Sequence, residues 1–200
     1  NGIDTEAFFP DKNVPKIPFR IVTTASADVP LKGLDYLLEA FSKVIKVFPE
    51  STLQVIGSLK KGGHTSRKIK DLNIKDKVHF NNDLSFKEVR DLYCSSDVVV
   101  IPSLYEGFGF AVGEAMACRV PVITTSGGAI PEVIGNCGIT VAPGNSKKLE
   151  EAMLKLIPDE NLKKSLAEKG FNRIIEHLQW KEVAKLMTEC YVEEITRMID

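Results

Sequence analysis

Two glutamates eight positions apart are the residues of this sequence with the clearest potential for chemistry. Glu106 lies in the glycine-containing segment Pro102–Phe110, and Glu114 follows in a segment with helical character. An ionised carboxylate accepts several hydrogen bonds, so it can hold two neighbouring hydroxyls of a sugar or a ribose. With Glu106 in a loop and Glu114 in the first turns of a helix, both can reach one pocket. An ordinary strand-to-helix loop with a capping glutamate is the alternative interpretation.

Lys32 stands at the start of a long helical segment striped with leucines, where the helix dipole disfavours a cation. A lysine tolerated at this place indicates an anionic ligand nearby, and a solvated surface lysine is the alternative. A third unusual loop, Thr124–Glu132, contains Gly127 and Gly128 and a proline suited to the first turn of a short helix. A Gly-Gly pair alone is commonly only a turn.

The segments around these loops alternate between short apolar runs and amphipathic helical patterns. The runs are mostly β-branched and apolar on both faces, which is typical of strands buried in a parallel sheet. The predicted strands are Arg20–Ala25, Thr52–Gly57, Val78–Asn81, Val98–Pro102, Val120–Thr124 and Ile139–Val141. The predicted helices are the Leu34–Ile45 stripe, Ser85–Cys94 with a Ser85–Glu88 capping box, Glu114–Ala117, Lys148–Ile157, Asn161–His177 and Trp180–Met198.

This alternation predicts an α/β fold, a Rossmann-like doubly wound parallel sheet of about six strands with flanking helices and a C-terminal helical pair. Ligands of such sheets bind at the carboxyl ends of the strands, near helix N-termini. The loops that carry Lys32, Glu106 and Gly127 are therefore the places where chemistry is expected.

The composition further limits the classes of partner and of binding site that the chain can have. The 26 basic and 27 acidic residues give a net charge of −1, which argues against a nucleic-acid partner bound through bulk charge and against a polybasic membrane anchor. No signal peptide is visible, and the missing initiator Met suggests a fragment or a processed chain. The four cysteines have no metal-ligand spacing with the histidines, and we expect them to be buried thiols in a reducing, cytoplasmic environment. No metal site and no Walker-type phosphate loop is evident.

Three segments together resemble the E-x7-E signature of retaining glycosyltransferases with the GT-B fold, of the family-4 type. These segments are Pro102–Phe110, Glu114–Cys118 and Val120–Ile123. Asn1–Asp4 with Phe8–Pro10 resembles the segment that opens the C-terminal domain of these enzymes. Lys32–Gly33, Gly127–Glu132 and the Trp180 helix follow in the expected order. The resemblance implies two Rossmann-like domains around a cleft, of which this chain is similar to the C-terminal, donor-binding one.

The resemblance also assigns roles to residues. It implies that Glu106 lies near the donor sugar and the reacting face, that Glu114 holds the ribose hydroxyls, and that Lys32 neutralises the diphosphate leaving group. The remaining donor-binding positions are Gly107, Phe108, Gly109, Phe110 and Ala111 at the sugar and pyrophosphate, Asn82, Asp83 and Leu84 around the base, and Ser26, Gly127 and Gly128. The resemblance implies a nucleoside diphosphate sugar as donor, and no metal or other cofactor is expected.

One position departs from the family pattern. These enzymes normally carry an arginine about five residues before the lysine, and Ala27 occupies that place here. Stabilisation of the leaving group then depends on Lys32, helix N-termini, Ser26 or a residue from elsewhere. The loss of this arginine favours an alternative, a non-catalytic nucleotide-binding α/β domain. Another GT-B enzyme, such as a sugar-nucleotide epimerase, is a further alternative.

These inferences divide the chain into three parts. Residues 1–18 are predicted as an interdomain linker, residues 19–178 as the donor-binding domain and residues 179–200 as a C-terminal crossover helix. An acceptor-binding N-terminal domain is the expected partner, and membrane association is expected only through it. The apolar residues of the last helix cover more than one stripe, so we expect this helix to expose apolar surface in the isolated domain. They are Trp180, Val183, Leu186, Met187, Cys190, Val192 and Ile195.

Overall fold

The computed structural model describes residues 1–199 and contains one parallel sheet of six strands. Asp200, the last residue of the predicted segment 179–200, lies outside the described residues. The strands are β1 (Arg20–Thr24), β2 (Thr52–Ile56), β3 (Val78–Asn81), β4 (Val98–Ile101), β5 (Val122–Thr125) and β6 (Ile139–Val141). Each predicted strand is present: β3 and β6 have the predicted bounds, and the ends of the other four differ by at most two residues.

Helices cover both faces of the sheet. They are α1 (Leu34–Val47), α2 (His64–Asp71), α3 (Phe86–Ser95), α4 (Phe110–Ala117), α5 (Ile130–Ile134), α6 (Ser146–Leu156), α7 (Glu160–Arg173) and α8 (Trp180–Ile199). A π-helical turn, Ile174–Leu178, follows α7, so the predicted Asn161–His177 helix is an α-helix only in its first part. The predicted capping box is present, because Ser85 accepts from the Glu88 amide while the Glu88 carboxylate accepts from the Ser85 amide.

The strand order is β3-β2-β1-β4-β5-β6, and all pairs are parallel. β1 and β4 are neighbours in the sheet although two strands separate them in sequence. The chain therefore reverses its direction of winding between β1 and β4, and at such a switch point the loops leave the sheet on opposite sides and open a crevice. The predicted doubly wound fold is confirmed.

The core forms two clusters, one on each face of the sheet. All residues of β4 and β5 are buried, which explains why these strands are continuously apolar or hydroxyl-bearing and do not alternate. The stripe of α1 packs on one face, and the short α4 packs on the other face through Val112, Ala115 and Met116. The sheet is thus buried on both faces along its central strands.

The N-terminal segment packs onto this domain and is not detached from it. Ile3 and Phe8 are buried, and the Ile3 amide donates to the Leu178 carbonyl at 2.7 Å. The Trp180 amide donates in turn to the Ile3 carbonyl at 2.9 Å, so the first residues lie beside the start of α8. Gly113 of α4 leaves room for the Ile3 side chain, which a Cβ at this position would overlap.

α8 exposes most of its apolar side chains, as the sequence predicts. Trp180, Leu186, Met187, Tyr191, Val192, Ile195 and Met198 are exposed, while Val183 is half-buried. Cys94, Cys118 and Cys137 are buried, but Cys190 lies on the exposed α8, so the expectation of four buried thiols is wrong for this residue. None of the helices in the described part of the chain has the length and apolar character that crossing a membrane requires.

Candidate functional site

The candidate site lies at the carboxyl ends of β1 and β4, where the loops after these strands touch. The loop after β1 forms a 3-10 turn, Pro30–Lys32, and ends at Gly33, whose φ is +64°. A Cβ on Gly33 would overlap the carbonyl oxygen of Pro102 in the loop after β4. The backbone conformation therefore favours glycine at this position, and the close approach of the two loops requires it.

Lys32 and Glu106 form an ion pair across these two loops. The Lys32 Nζ lies 2.7 Å from the Glu106 Oε1, and the Ser103 hydroxyl donates to the same oxygen at 2.8 Å. The Lys32 side chain is 38% exposed and the Glu106 side chain 18% exposed, so the pair is half-buried. Two residues that the sequence predicts as catalytic from separate loops are thus in direct contact.

The loop after β5 holds the backbone of Glu106. The Ala129 amide donates to the Glu106 carbonyl at 2.9 Å, and Glu106 and Gly128 form an isolated parallel bridge. A Cβ on Gly127 would overlap the Leu104 carbonyl oxygen, and one on Gly128 would overlap that of Glu106. The Gly-Gly pair is consequently more than a turn, because it lets two loops pack backbone to backbone.

Glu114 is the fifth residue of α4 and is half-buried. Burial raises the pKa of its carboxyl to about 7, and the nearby Tyr93 hydroxyl partly offsets this rise. Tyr93 is fully buried, and its hydroxyl lies 2.8 Å from the Thr24 Oγ1 at the end of β1. Glu106 and Glu114 thus have different surroundings, one facing a lysine and the other a buried tyrosine.

The segment between the two glutamates ends in the first turn of α4. Gly109 is the N-cap with a φ of +97°, and because it has no side chain, no side chain caps the first amides of α4. Gly107 is exposed and has open space around it. Phe108 and Phe110 lie with ring centroids 4.8 Å apart, and Phe110 is half exposed. Uncapped amides and the positive end of a helix dipole form an environment that favours anions.

A separate cleft of about 350 Å³ brings together the other predicted donor-binding positions. Its lining comprises Ser26, Ile56, Gly57, Ser58, Asn81, Asn82, Asp83, Leu84 and Val89. Ser26 and the Asn82–Leu84 loop, predicted from different parts of the sequence, therefore line one cleft at the carboxyl ends of β1, β2 and β3. Glu106 and Glu114 are not part of this lining.

Ala27, which stands where the family pattern has an arginine, supplies no positive charge. The Ala27 amide donates to the Ser58 carbonyl at 3.0 Å. The Asp28 carboxylate accepts from the Thr65 amide at 2.9 Å, and this hydrogen bond lowers the pKa of Asp28. Asp28 thereby binds the first turn of α2, and Lys32 is the cation that the loop after β1 contributes to the ion pair.

Three residues near the site are not among the site residues predicted from the sequence. They are Ser103, which contacts Glu106, and Tyr93 with Thr24, which adjoin Glu114. Ser103 directly follows a buried strand, and that position was an available signal. Tyr93 reads as part of the apolar stripe of α3, so its sequence context carries no such signal. Among the described residues, no group of three His, Cys, Asp or Glu side chains is arranged to hold a metal ion.

The sheet order, with the ion pair at its switch point, defines a Rossmann-like domain. The chain belongs to the family described as Glycosyl transferases group 1, which it matches over residues 5–173. It is 36% identical over 200 residues to the MMP alpha-(1->4)-mannosyltransferase of Mycolicibacterium hassiacum, covering 98% of this chain and 48% of that protein. The chain spans about half the length of the curated relatives it matches.

Two solved structures show the same architecture. The C-terminal domain of a glycosyl transferase group 1 protein, LpcC from Francisella tularensis, matches with a TM-score of 0.77 and 26% identity, over 90% of this chain and 100% of that one. Anabaena HepE in complex with UDP and glucose matches with a TM-score of 0.82 and 20% identity, over 96% of this chain and 55% of that one. The predicted family and the predicted C-terminal-domain fold are confirmed.

Proposed function

We propose that this chain is the donor-binding domain of a retaining glycosyltransferase that transfers a sugar from a nucleotide diphosphate donor. The observation that carries the proposal is the Lys32–Glu106 ion pair beside the uncapped N-terminus of α4. The mannosyltransferase name of one relative and the UDP and glucose bound to HepE support a nucleotide sugar as donor. Retention of the anomeric configuration is inferred from the E-x7-E resemblance at Glu106 and Glu114.

The proposed roles of the residues follow from the charges that develop as the bond between sugar and phosphate breaks. Cleaving the bond between sugar and phosphate leaves a diphosphate with increased negative charge, while the sugar becomes oxocarbenium-like. Lys32 and the first amides of α4 stabilise the leaving diphosphate, and the Glu106 carboxylate lies on the side of the developing positive charge. Glu114 accepts hydrogen bonds from the ribose hydroxyls, and Ser26 with Asn82–Leu84 surrounds the base. Because Lys32 and amides supply the positive charge, the proposed reaction has no metal requirement.

The rest of the protein supplies the acceptor site in this proposal. The relatives are about twice as long as this chain, which supports an additional acceptor-binding domain. The three buried thiols fit the reducing conditions of a cytoplasmic location. Without the second wall of the cleft the acceptor is not positioned, so the isolated chain binds the donor but transfers little or no sugar.

Calorimetry of the 200-residue chain with UDP, GDP and ADP, and with UDP-glucose, GDP-mannose and ADP-glucose, tests this proposal. We expect binding of at least one of these nucleotides, with unchanged affinity when EDTA is present. Binding of none of them contradicts the donor-binding function. Robust sugar transfer by the isolated chain contradicts the requirement for a second domain.

Ala27 supports a second candidate, a non-catalytic nucleotide-binding domain. In that case the full-length protein binds a nucleotide but consumes no nucleotide sugar. Measuring nucleoside diphosphate release by the full-length protein with UDP-glucose and GDP-mannose distinguishes the two functions. An epimerase, the remaining alternative, is recognised in the same experiment by a change in the sugar while no acceptor is present.

A further inference from the structure

We propose that Ser103 is a positioning residue that holds the Glu106 carboxylate in place when Lys32 turns to the donor. This inference rests on the proposed function, because it assigns Ser103 a role within the same site. The Ser103 hydroxyl donates to the Glu106 Oε1 at 2.8 Å, and the Lys32 Nζ contacts the same oxygen at 2.7 Å. One carboxylate oxygen therefore has two partners of different chemistry.

The two partners differ in their freedom to move. Ser103 is fully buried, and the hydroxyl of the buried Thr125 in β5 donates to its carbonyl oxygen. The neighbouring Leu104 amide donates to the Leu31 carbonyl at 2.8 Å. Lys32, by contrast, is 38% exposed and has a long flexible side chain. Ser103 is thus a fixed donor, and Lys32 is the partner that can be exchanged.

The distribution of contacts identifies the oxygen that is open to substrate. Both donors contact Oε1, and no described residue hydrogen-bonds to the Glu106 Oε2. When a diphosphate attracts Lys32, Glu106 keeps only the Ser103 hydrogen bond. That bond fixes Oε1 and so keeps Oε2 directed at the reacting sugar. Without it, the carboxylate is free to rotate at the moment when its position matters.

The chain provides a matched control at the other end of β4. Ser96 is also fully buried, and its hydroxyl donates to the Tyr93 carbonyl at 2.7 Å. Ser103→Ala and Ser96→Ala therefore each remove one buried hydroxyl hydrogen bond, but only Ser103→Ala affects a carboxylate of the site. A general loss of packing or stability would appear in both variants.

The experiment uses the full-length protein with UDP-glucose or GDP-mannose, whichever it consumes, and measures kcat and the donor KM. We expect Ser103→Ala to lower kcat roughly tenfold, as removal of a hydrogen bond to a charged group implies, with the donor KM changed less than about twofold. Ser103→Cys, which keeps the shape but donates weakly, gives an intermediate kcat. Ser96→Ala leaves kcat unchanged.

A double-mutant cycle with Glu106→Ala tests whether Ser103 acts through Glu106. We expect Ser103→Ala to have no further effect on the residual turnover of Glu106→Ala, whereas independent effects multiply. Multiplying effects, or equal kcat losses in Ser103→Ala and Ser96→Ala, overturn the inference while leaving the proposed function intact. Full activity of Glu106→Ala, or consumption of neither donor by the parent, instead contradicts the proposed function and the inference with it.

Discussion

At the scale of single residues, the role proposed for the half-buried carboxyl of Glu114 predicts that donor binding depends on pH. Burial raises the pKa of Glu114 to about 7, so the carboxylate loses its charge as the pH falls through neutrality. In the proposed function the ionised form accepts both ribose hydroxyls, so we expect protonation to weaken binding, by at most about tenfold per pH unit. We expect the affinity for UDP-glucose or GDP-mannose to fall between pH 8 and pH 6. Calorimetry over this range measures the effect.

Nucleotide sugars are the appropriate probes, because their diphosphate is esterified at both ends and stays fully ionised over this range. Glu114→Gln is the control, which binds more weakly at pH 8 and loses the pH dependence. A pH dependence that persists in Glu114→Gln contradicts the ribose-binding role of Glu114.

The raised pKa of Glu114 also affects the stability of the fold. A salt bridge lowers the pKa of a carboxyl and stabilises the fold at higher pH, and the raised pKa of Glu114 has the opposite effect. Since folding raises the pKa of Glu114, its contribution to the free energy of unfolding is greatest at acidic pH and declines as the pH rises to about 7.

The proposed role of Lys32 can be tested by comparing ligands with and without a diphosphate. In the proposed function Lys32→Ala removes a charge-assisted contact to phosphate, so we expect binding of UDP or GDP to weaken roughly tenfold while uridine or guanosine binding stays unchanged. The matched control is Lys147 in the first turn of α6, which like Lys32 pairs with a glutamate, here Glu150 at 3.2 Å. Lys147→Ala leaves both affinities unchanged. Equal losses for nucleoside and diphosphate in Lys32→Ala place this lysine away from the phosphates.

At the scale of elements, the contact between the loops after β1 and β4 depends on Gly33. Gly33 and Gly62 both have positive φ angles, +64° and +74°, but only a Cβ on Gly33 meets another part of the backbone. Gly62→Ala therefore costs about 1–2 kcal/mol of the free energy of unfolding, from the backbone conformation alone. We expect Gly33→Ala to cost clearly more, because it also displaces the loop at Pro102. Chemical denaturation of both variants measures the difference, and equal costs would mean that the loops are not in close contact.

The elements also show how far the sequence determines the structure. The apolar β4 and β5 and the Ser85–Glu88 capping box were predictable, because burial on both faces and helix capping leave local patterns. The Lys32–Glu106 ion pair was not, because it depends on β1 and β4 lying side by side, and the sequence separates them by two strands. The position of Ser103 just after the predicted strand Val98–Pro102 indicated that it lies near the site, but its contact with the Glu106 carboxylate is defined only once the loop is folded.

At the scale of the whole molecule, α8 carries an apolar surface that the described chain does not cover. Leu186 and Ile195 are 56% and 57% exposed, respectively. In the isolated chain we expect this surface to promote association between copies, because apolar area removed from water stabilises such contacts. Sedimentation velocity of the parent and of a Leu186→Gln/Ile195→Gln variant tests this expectation. The variant should remain monomeric at concentrations where the parent associates.

The control for this prediction is Leu149→Gln in α6, whose side chain is fully buried. It should destabilise the fold, whereas the α8 variant should unfold at the same denaturant concentration as the parent. A parent chain that is monomeric at every concentration contradicts the prediction. Loss of stability in the α8 variant would show that these side chains are packed within the domain.

The close packing of the loops around Gly33, Gly127 and Gly128 bears on how such a protein can change its specificity. At these positions the contacts are between backbone atoms, so nearly any substitution disturbs the loops themselves. The lining of the cleft at Ser26 and Asn82–Leu84 instead includes the exposed residues Ser26, Asn82 and Asp83, whose side chains can be replaced with less disturbance of the backbone. We therefore expect substitutions to alter the cleft that surrounds the base in the proposed function more readily than the part of the site that contains Lys32 and Glu106.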